Sequence, residues 1–220
     1  MQKYLNNSRT HYYSLILVLP LALLYSLMGA MINWNSPYEL KNGADVLLRD
    51  LFQLFGVYSE IMYVLFINLL ILSVILYHKR EFNKPIRPFT LSAMAVEAVL
   101  WALLMLVTLN IAGAYLLSNP SNFTAIENFY LSIGAGLYEE FVFRFILLSI
   151  MILVAKKILG ASRLSSVILS VSFSALLFSL FHYMGEFGDV FTWHSFFYRL
   201  IAGLYLGMLF INRGLGITVY

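Results

Sequence analysis

The chain has 220 residues, of which 61% are hydrophobic and 11% charged. Water-soluble domains carry about 25% charged residues, so this composition excludes an ordinary soluble enzyme and implies an integral membrane protein with several spans. The absence of cysteine excludes disulfide staples and thiolate metal sites, and the net charge of +3 says less than the placement of the charges.

The N-terminal stretch is polar and holds Lys3 and Arg9. The apolar run behind it closes on Ile32-Asn33-Trp34-Asn35, with no small-x-small cleavage signature, and reads as a retained span rather than a removed signal peptide. A span needs about 20 mostly apolar residues. The hydrophobic pattern predicts six: 13–32, 57–77, 91–117, 128–155, 165–184 and 190–211. Segment 44–55, between the first two, is too short and too amphipathic to cross and reads as an interfacial helix. The fourth segment is longer than a bilayer requires and contains Gly134-Ala135-Gly136, where a tilt, a kink or a close helix approach is expected. Without internal repeat or soluble insert, the expected fold is all-α. It is a polytopic transmembrane bundle forming one domain over 1–220, with its motif-bearing core at 128–220.

Basic residues sort by side. Lys3 and Arg9 precede the first span, and Lys79, Arg80, Lys84 and Arg87 follow the second. Lys156, Lys157 and Arg163 follow the fourth, and Arg213 the sixth. The opposite loops hold only Lys41 and Arg49, beside Glu39, Asp45, Asp50, Glu127, Glu186 and Asp189. Positive charge accumulates on the cytoplasmic side, so the N- and C-termini are both expected inside. At about 1.5 Å per residue, Glu139 then lies roughly 16 Å into a helix running inward from outside. His182 falls near the outer end of the fifth span.

Three ionisable residues, Glu139, Glu140 and Arg144, stand within six positions of an apolar stretch. Each costs roughly 2.5–3.5 kcal/mol at membrane depth on insertion scales, which points to function; the plain alternative is a polar trio that glues helices together. Glu140 and Arg144, at i,i+4, share a face and read as a structural ion pair. Glu139 points elsewhere and remains available as a proton acceptor. Phe178 and His182 are also spaced i,i+4. A lone histidine at a helix end is usually a packing residue; beside the glutamates, it and Glu139 form a pair able to hold one water. Arg199, Gly203 and Gly207 form a stripe at spacing four. The glycines predict a close helix contact, and Arg199 either meets a carboxylate of the site or snorkels to the interface. Glu97 is a further acid within a span, with Arg199 or a polar neighbour as its candidate partner.

Glu139-Glu140-x-x-x-Arg144 on one span, followed by Phe178-x-x-x-His182 on the next, resembles the CAAX-protease and bacteriocin-processing (Abi) family of intramembrane proteases. The run from Phe197 through Arg199, Gly203 and Gly207 to Arg213-Gly214-Leu215-Gly216 is similar to the family's approach to its last helix. The resemblance covers roughly 128–220 and implies an endopeptidase in which Glu139 and His182 activate a water, with Glu140, Arg144, Phe178 and Arg199 in support. It also implies a further His, followed four residues on by Asn or Asp, in the next helix. The 220 residues stop at Tyr220, where that helix starts, so the expectation is either a fragment or a protein lacking part of its site.

No cofactor is expected: Glu139, Glu140 and His182 make an incomplete set for a divalent metal such as zinc, which stands as the alternative. The expected partners are membrane lipid and a peptide or protein substrate with a membrane-anchored or C-terminal signal segment, and no nucleic acid. The expected location is a prokaryotic cell membrane. The family alone suggests prenylated CAAX proteins cut at the cytoplasmic face, whereas the topology suggests an exported or membrane-anchored peptide. From another class, the chain reads as a non-catalytic membrane protein: a bacteriocin self-immunity scaffold or a proton-coupled transporter.

Overall fold

The computed structural model describes residues 2–34, 39–56, 86–111, 123–185 and 188–220, with scattered positions between 58 and 76. Every regular element among them is helical. In chain order these are α1 (Gln2–Ser8), α2 (His11–Asn33), α3 (Gly43–Gln53), α4 (Pro88–Ile111), α5 (Ala125–Gly134), a π-helix π1 (Ala135–Leu148), α6 (Ser149–Lys157), α7 (Arg163–Phe181), α8 (Trp193–Arg213) and α9 (Leu215–Val219).

By length and composition α2, α4, α7 and α8 are able to cross a membrane. They match the predicted first, third, fifth and sixth spans. The third ends at Ile111, the last of its residues described. The predicted second span, 57–77, falls for the most part outside the described residues. The fourth is the continuous run α5–π1–α6, and here the structure departs from a plain α-helix. From Ala135 to Leu148 the backbone takes the wider π form, which is rare and is often found at functional positions. A Cβ on Gly136 would meet the carbonyl oxygen of Val219 at 2.6 Å. The predicted close approach is thus a contact between π1 and the end of α9.

Several helix starts have a local cause. Thr10 caps α2, accepting from the Tyr13 N–H, and Asn42 caps α3, accepting from the Ala44 N–H. Thr124 and Glu127 form a reciprocal capping box at the head of the motif-bearing run. The Thr124 backbone and hydroxyl donate to Glu127 and hold its carboxyl below the ordinary value. Inside α2, the fixed ring of Pro20 is tolerated as it is in other membrane helices.

The buried face of α2 carries Ser14, Leu17, Val18, Ala22 and Tyr25, the spacing of one helical stripe. Val18, Ala22 and Tyr25 pack on Tyr130, Ile133 and Leu137 of the motif-bearing run and on Leu215 and Val219 of α9. On α4, Val96, Val99, Leu100, Leu103 and Val107 are exposed. Surface of this kind suits lipid and not water. Small residues bring α7 and α8 together: a Cβ on Gly203 would meet Ala175 Cα at 3.0 Å, and one on Gly207 would meet Val171 Cγ1 at 3.0 Å. The glycine stripe is the predicted close contact. Buried Ser174 and Ser179 donate to the carbonyls of Phe143 and Phe196, tying α7 to both neighbours.

The pairing left open for Glu97 is with Arg213, not Arg199. Arg213 reaches the two Glu97 carboxylate oxygens at 2.5 and 2.8 Å, while Tyr4 and Trp101 donate to them as well. Arg213 also donates to buried Ser8. A basic residue expected as a cytoplasmic flank is therefore buried in a cluster joining α1, α4 and α8. Gly214, at φ 80°, then turns the chain back so that α9 enters the bundle, every residue of it buried.

Candidate active site

Three elements distant in sequence converge on Glu139. The first is π1, which carries both glutamates. The second is the C-terminal end of α7, where His182 is the cap residue. The third is the N-terminal end of α3, where Asn42 is the cap. Glu139 Oε2 lies 3.9 Å from His182 Nε2, and Asn42 Nδ2 donates to Glu139 Oε1 at 2.9 Å. Both side chains keep some access, at 15% exposure for Glu139 and 23% for His182.

The tautomer of His182 follows from its second contact. Nδ1 lies 2.9 Å from the Phe178 carbonyl oxygen. A carbonyl only accepts, so Nδ1 carries the proton, and in the neutral ring Nε2 presents a lone pair toward Glu139. Two acceptors form no direct hydrogen bond with each other, and here they stand 3.9 Å apart. The spacing suits one water donating to both.

The other glutamate is placed differently. Glu140 Oε1 and Arg144 Nη1 form an ion pair at 3.0 Å, with 5% and 1% of their side chains exposed. Among the described residues, Glu140 Oε2 and both Arg144 Nη atoms have no hydrogen-bond partner. The Arg144 guanidinium instead lies over the Phe178 ring, 4.2 Å from its centroid. Phe178 meets the His182 ring edge to face, with centroids 4.9 Å apart. Phe178 is thus the link between the buried pair and the histidine.

Arg199 is not part of this cluster. It pairs with Asp189, donates to Ser195 Oγ at 2.6 Å and lies over the Tyr183 ring. Its reach toward Glu139 or Glu140, one of two possibilities in the sequence, is corrected: the guanidinium turns to the loop ahead of α8 because an acid is available there.

Asn42 is the site residue that sequence reasoning missed. An Asn-Gly pair ahead of an amphipathic helix announces a cap, but nothing in it reports proximity to a residue 97 positions away. Among the described residues, no group of three or more His, Cys, Asp or Glu is placed to hold a metal ion. Glu139 and His182 provide two ligands, where catalytic zinc takes three from protein.

No curated protein and no solved structure matches the chain. A family model described as type II CAAX prenyl endopeptidase Rce1-like matches residues 120–219. That stretch contains both motifs, all of π1 and α7, and the turn into α9. Residues 120–219 are therefore similar to the Rce1-like family of type II CAAX prenyl endopeptidases.

Proposed function

We propose that the protein is an intramembrane endopeptidase in which Glu139 is the general base. The observation that carries this reading is the 3.9 Å approach of Glu139 Oε2 to His182 Nε2. A water held between them gives a proton to Glu139 as its oxygen attacks the scissile carbonyl carbon. The C–N bond then breaks, and Glu139 returns the proton to the leaving nitrogen. His182, held by the Phe178 carbonyl, orients the water; Glu140, Arg144 and Phe178 hold the helix geometry around it.

The substrate we propose is an exported or membrane-anchored peptide. His182 ends α7 and Arg163 begins it, which separates them by about 28 Å at 1.5 Å per residue. Lys156 and Lys157 lie near the Arg163 end. If the basic end is cytoplasmic, the water site belongs to the outer half of the bilayer.

The test is cleavage by the full-length protein in membranes, followed as a size shift. It uses two tagged reporters, one ending in a prenylated CAAX peptide and one carrying an exported leader. Glu139→Gln and His182→Ala are each expected to lower cleavage by at least about 10²-fold, the scale of a lost acid–base group. Cleavage unchanged in Glu139→Gln refutes the mechanism. The reaction is proposed to need no metal, so EDTA is expected to leave the rate unaltered; loss on chelation and recovery with zinc would reverse that reading.

A further inference from the structure

We propose that Asn42, which lies outside the segment matched to the family, is a positioning residue for Glu139. This rests on the reading of Glu139 as the base. The two ends of the Asn42 amide have different tasks. Oδ1 accepts from the Ala44 N–H at 2.9 Å and caps α3, which leaves Nδ2 to donate to Glu139 Oε1 at 2.9 Å. Reversing the amide would set its oxygen against a carboxylate and its NH2 against an N–H, so the cap determines which end faces the base.

Asn42 is itself held. Its backbone N–H is 3.4 Å from the Tyr25 hydroxyl, which donates to Asp45 Oδ2 at 2.9 Å. Asp45 is fully buried and takes a second bond from Arg49 Nε at 2.8 Å. This chain of bonds ties the start of α3 to α2. A separate observation concerns Gly134, at the end of α5. A Cβ there would meet Tyr25 Cε2 at 2.6 Å and Asn42 Cβ at 2.9 Å. The seat of Asn42 against the motif-bearing helix thus requires a glycine.

With one carboxylate oxygen taken by the amide, the other is left to face His182. An unheld glutamate rotates about three torsions, and misplacing a catalytic group by about 1 Å costs on the order of 10²-fold. Asn42 removes that freedom through a hydrogen bond to a charged acceptor, the stronger kind.

Aspartate and serine both cap helices about as well as asparagine, yet neither presents an amide donor. Asn42→Asp and Asn42→Ser therefore separate capping from positioning. In the full-length protein acting on the reporter it cleaves, Asn42→Ser is expected to retain thermal stability and KM and to lose about 10²-fold in kcat, while Asn42→Asp, which sets a second carboxylate against Glu139, loses kcat together with some stability. Gly134→Ala is expected to lower kcat as well, with reduced stability. If either capping variant keeps the parental kcat, or if kcat of the serine variant falls only in step with thermal stability, the positioning role is overturned. Should aspartate prevent folding, the serine variant decides by the same criteria. Glu139→Gln, measured alongside, reports on the underlying reading. Full activity there refutes the base assignment, whereas its loss together with unaltered Asn42 variants refutes only the positioning.

Discussion

Charge burial at single residues separates the two adjacent glutamates. Glu140 is sealed against Arg144, while Glu139 keeps an opening shared with His182. Removing one partner of a buried ion pair strands the other charge and costs about 3–5 kcal/mol, whereas replacing both by apolar groups of similar size is close to neutral. Arg144→Met is therefore expected to lower thermal stability in detergent sharply. The double variant Glu140→Leu/Arg144→Met should recover most of that loss. Recovery in thermal unfolding identifies the pair as structural; a double variant as unstable as the single one would contradict it. This division was readable from the i,i+4 spacing. The acceptance of a bond from Asn42 was not, because no local pattern reports a contact between α3 and π1.

Among the elements, the geometry of the proposed site depends on how closely α7 approaches its neighbours, since His182 caps α7. The contact with α8 is made by Gly203 and Gly207, where an added Cβ meets Ala175 Cα and Val171 Cγ1 at 3.0 Å. Gly203→Val forces the helices apart. The expected outcome is a loss of about 1–3 kcal/mol in stability, typical of overpacking, together with reduced cleavage, as read by denaturation and by the reporter. The spacing of the glycines announced this contact. The π form of the motif-bearing helix was not announced. Its sequence carries an ordinary apolar pattern, and the glycine pair ahead of the glutamates was compatible with a tilt, a kink or a close approach. Where α9 would lie was likewise hidden, because the five residues Leu215–Val219 carry too little pattern to place a helix.

Under the proposed function, orientation of the whole molecule in the bilayer decides which peptides reach Glu139. The chain contains no cysteine, so single cysteines report sidedness without a background. Glu39 lies in the segment leading to α3, and exposed Leu159 lies near the basic end of α7. A cysteine at 39 is expected to react with an impermeant maleimide added outside intact cells, and one at 159 only after the membrane is opened. The reverse result places the site on the cytoplasmic side and favours a CAAX-type substrate.

What the sequence determined by itself is the class of the protein and which ionisable residues stand within its apolar segments. Long apolar segments have one stable solution in lipid, since every backbone polar group must be bonded within its own helix. Ionisable residues are so costly there that each one stands out from the text. What only the tertiary structure decided is which of those residues meet. Glu97 chose Arg213, Arg199 chose Asp189, and Glu139 took Asn42 on one side and His182 on the other. The physical reason is that a buried charge must find a partner, but periodicity records only the face a residue points from. The partner is settled by how the helices pack.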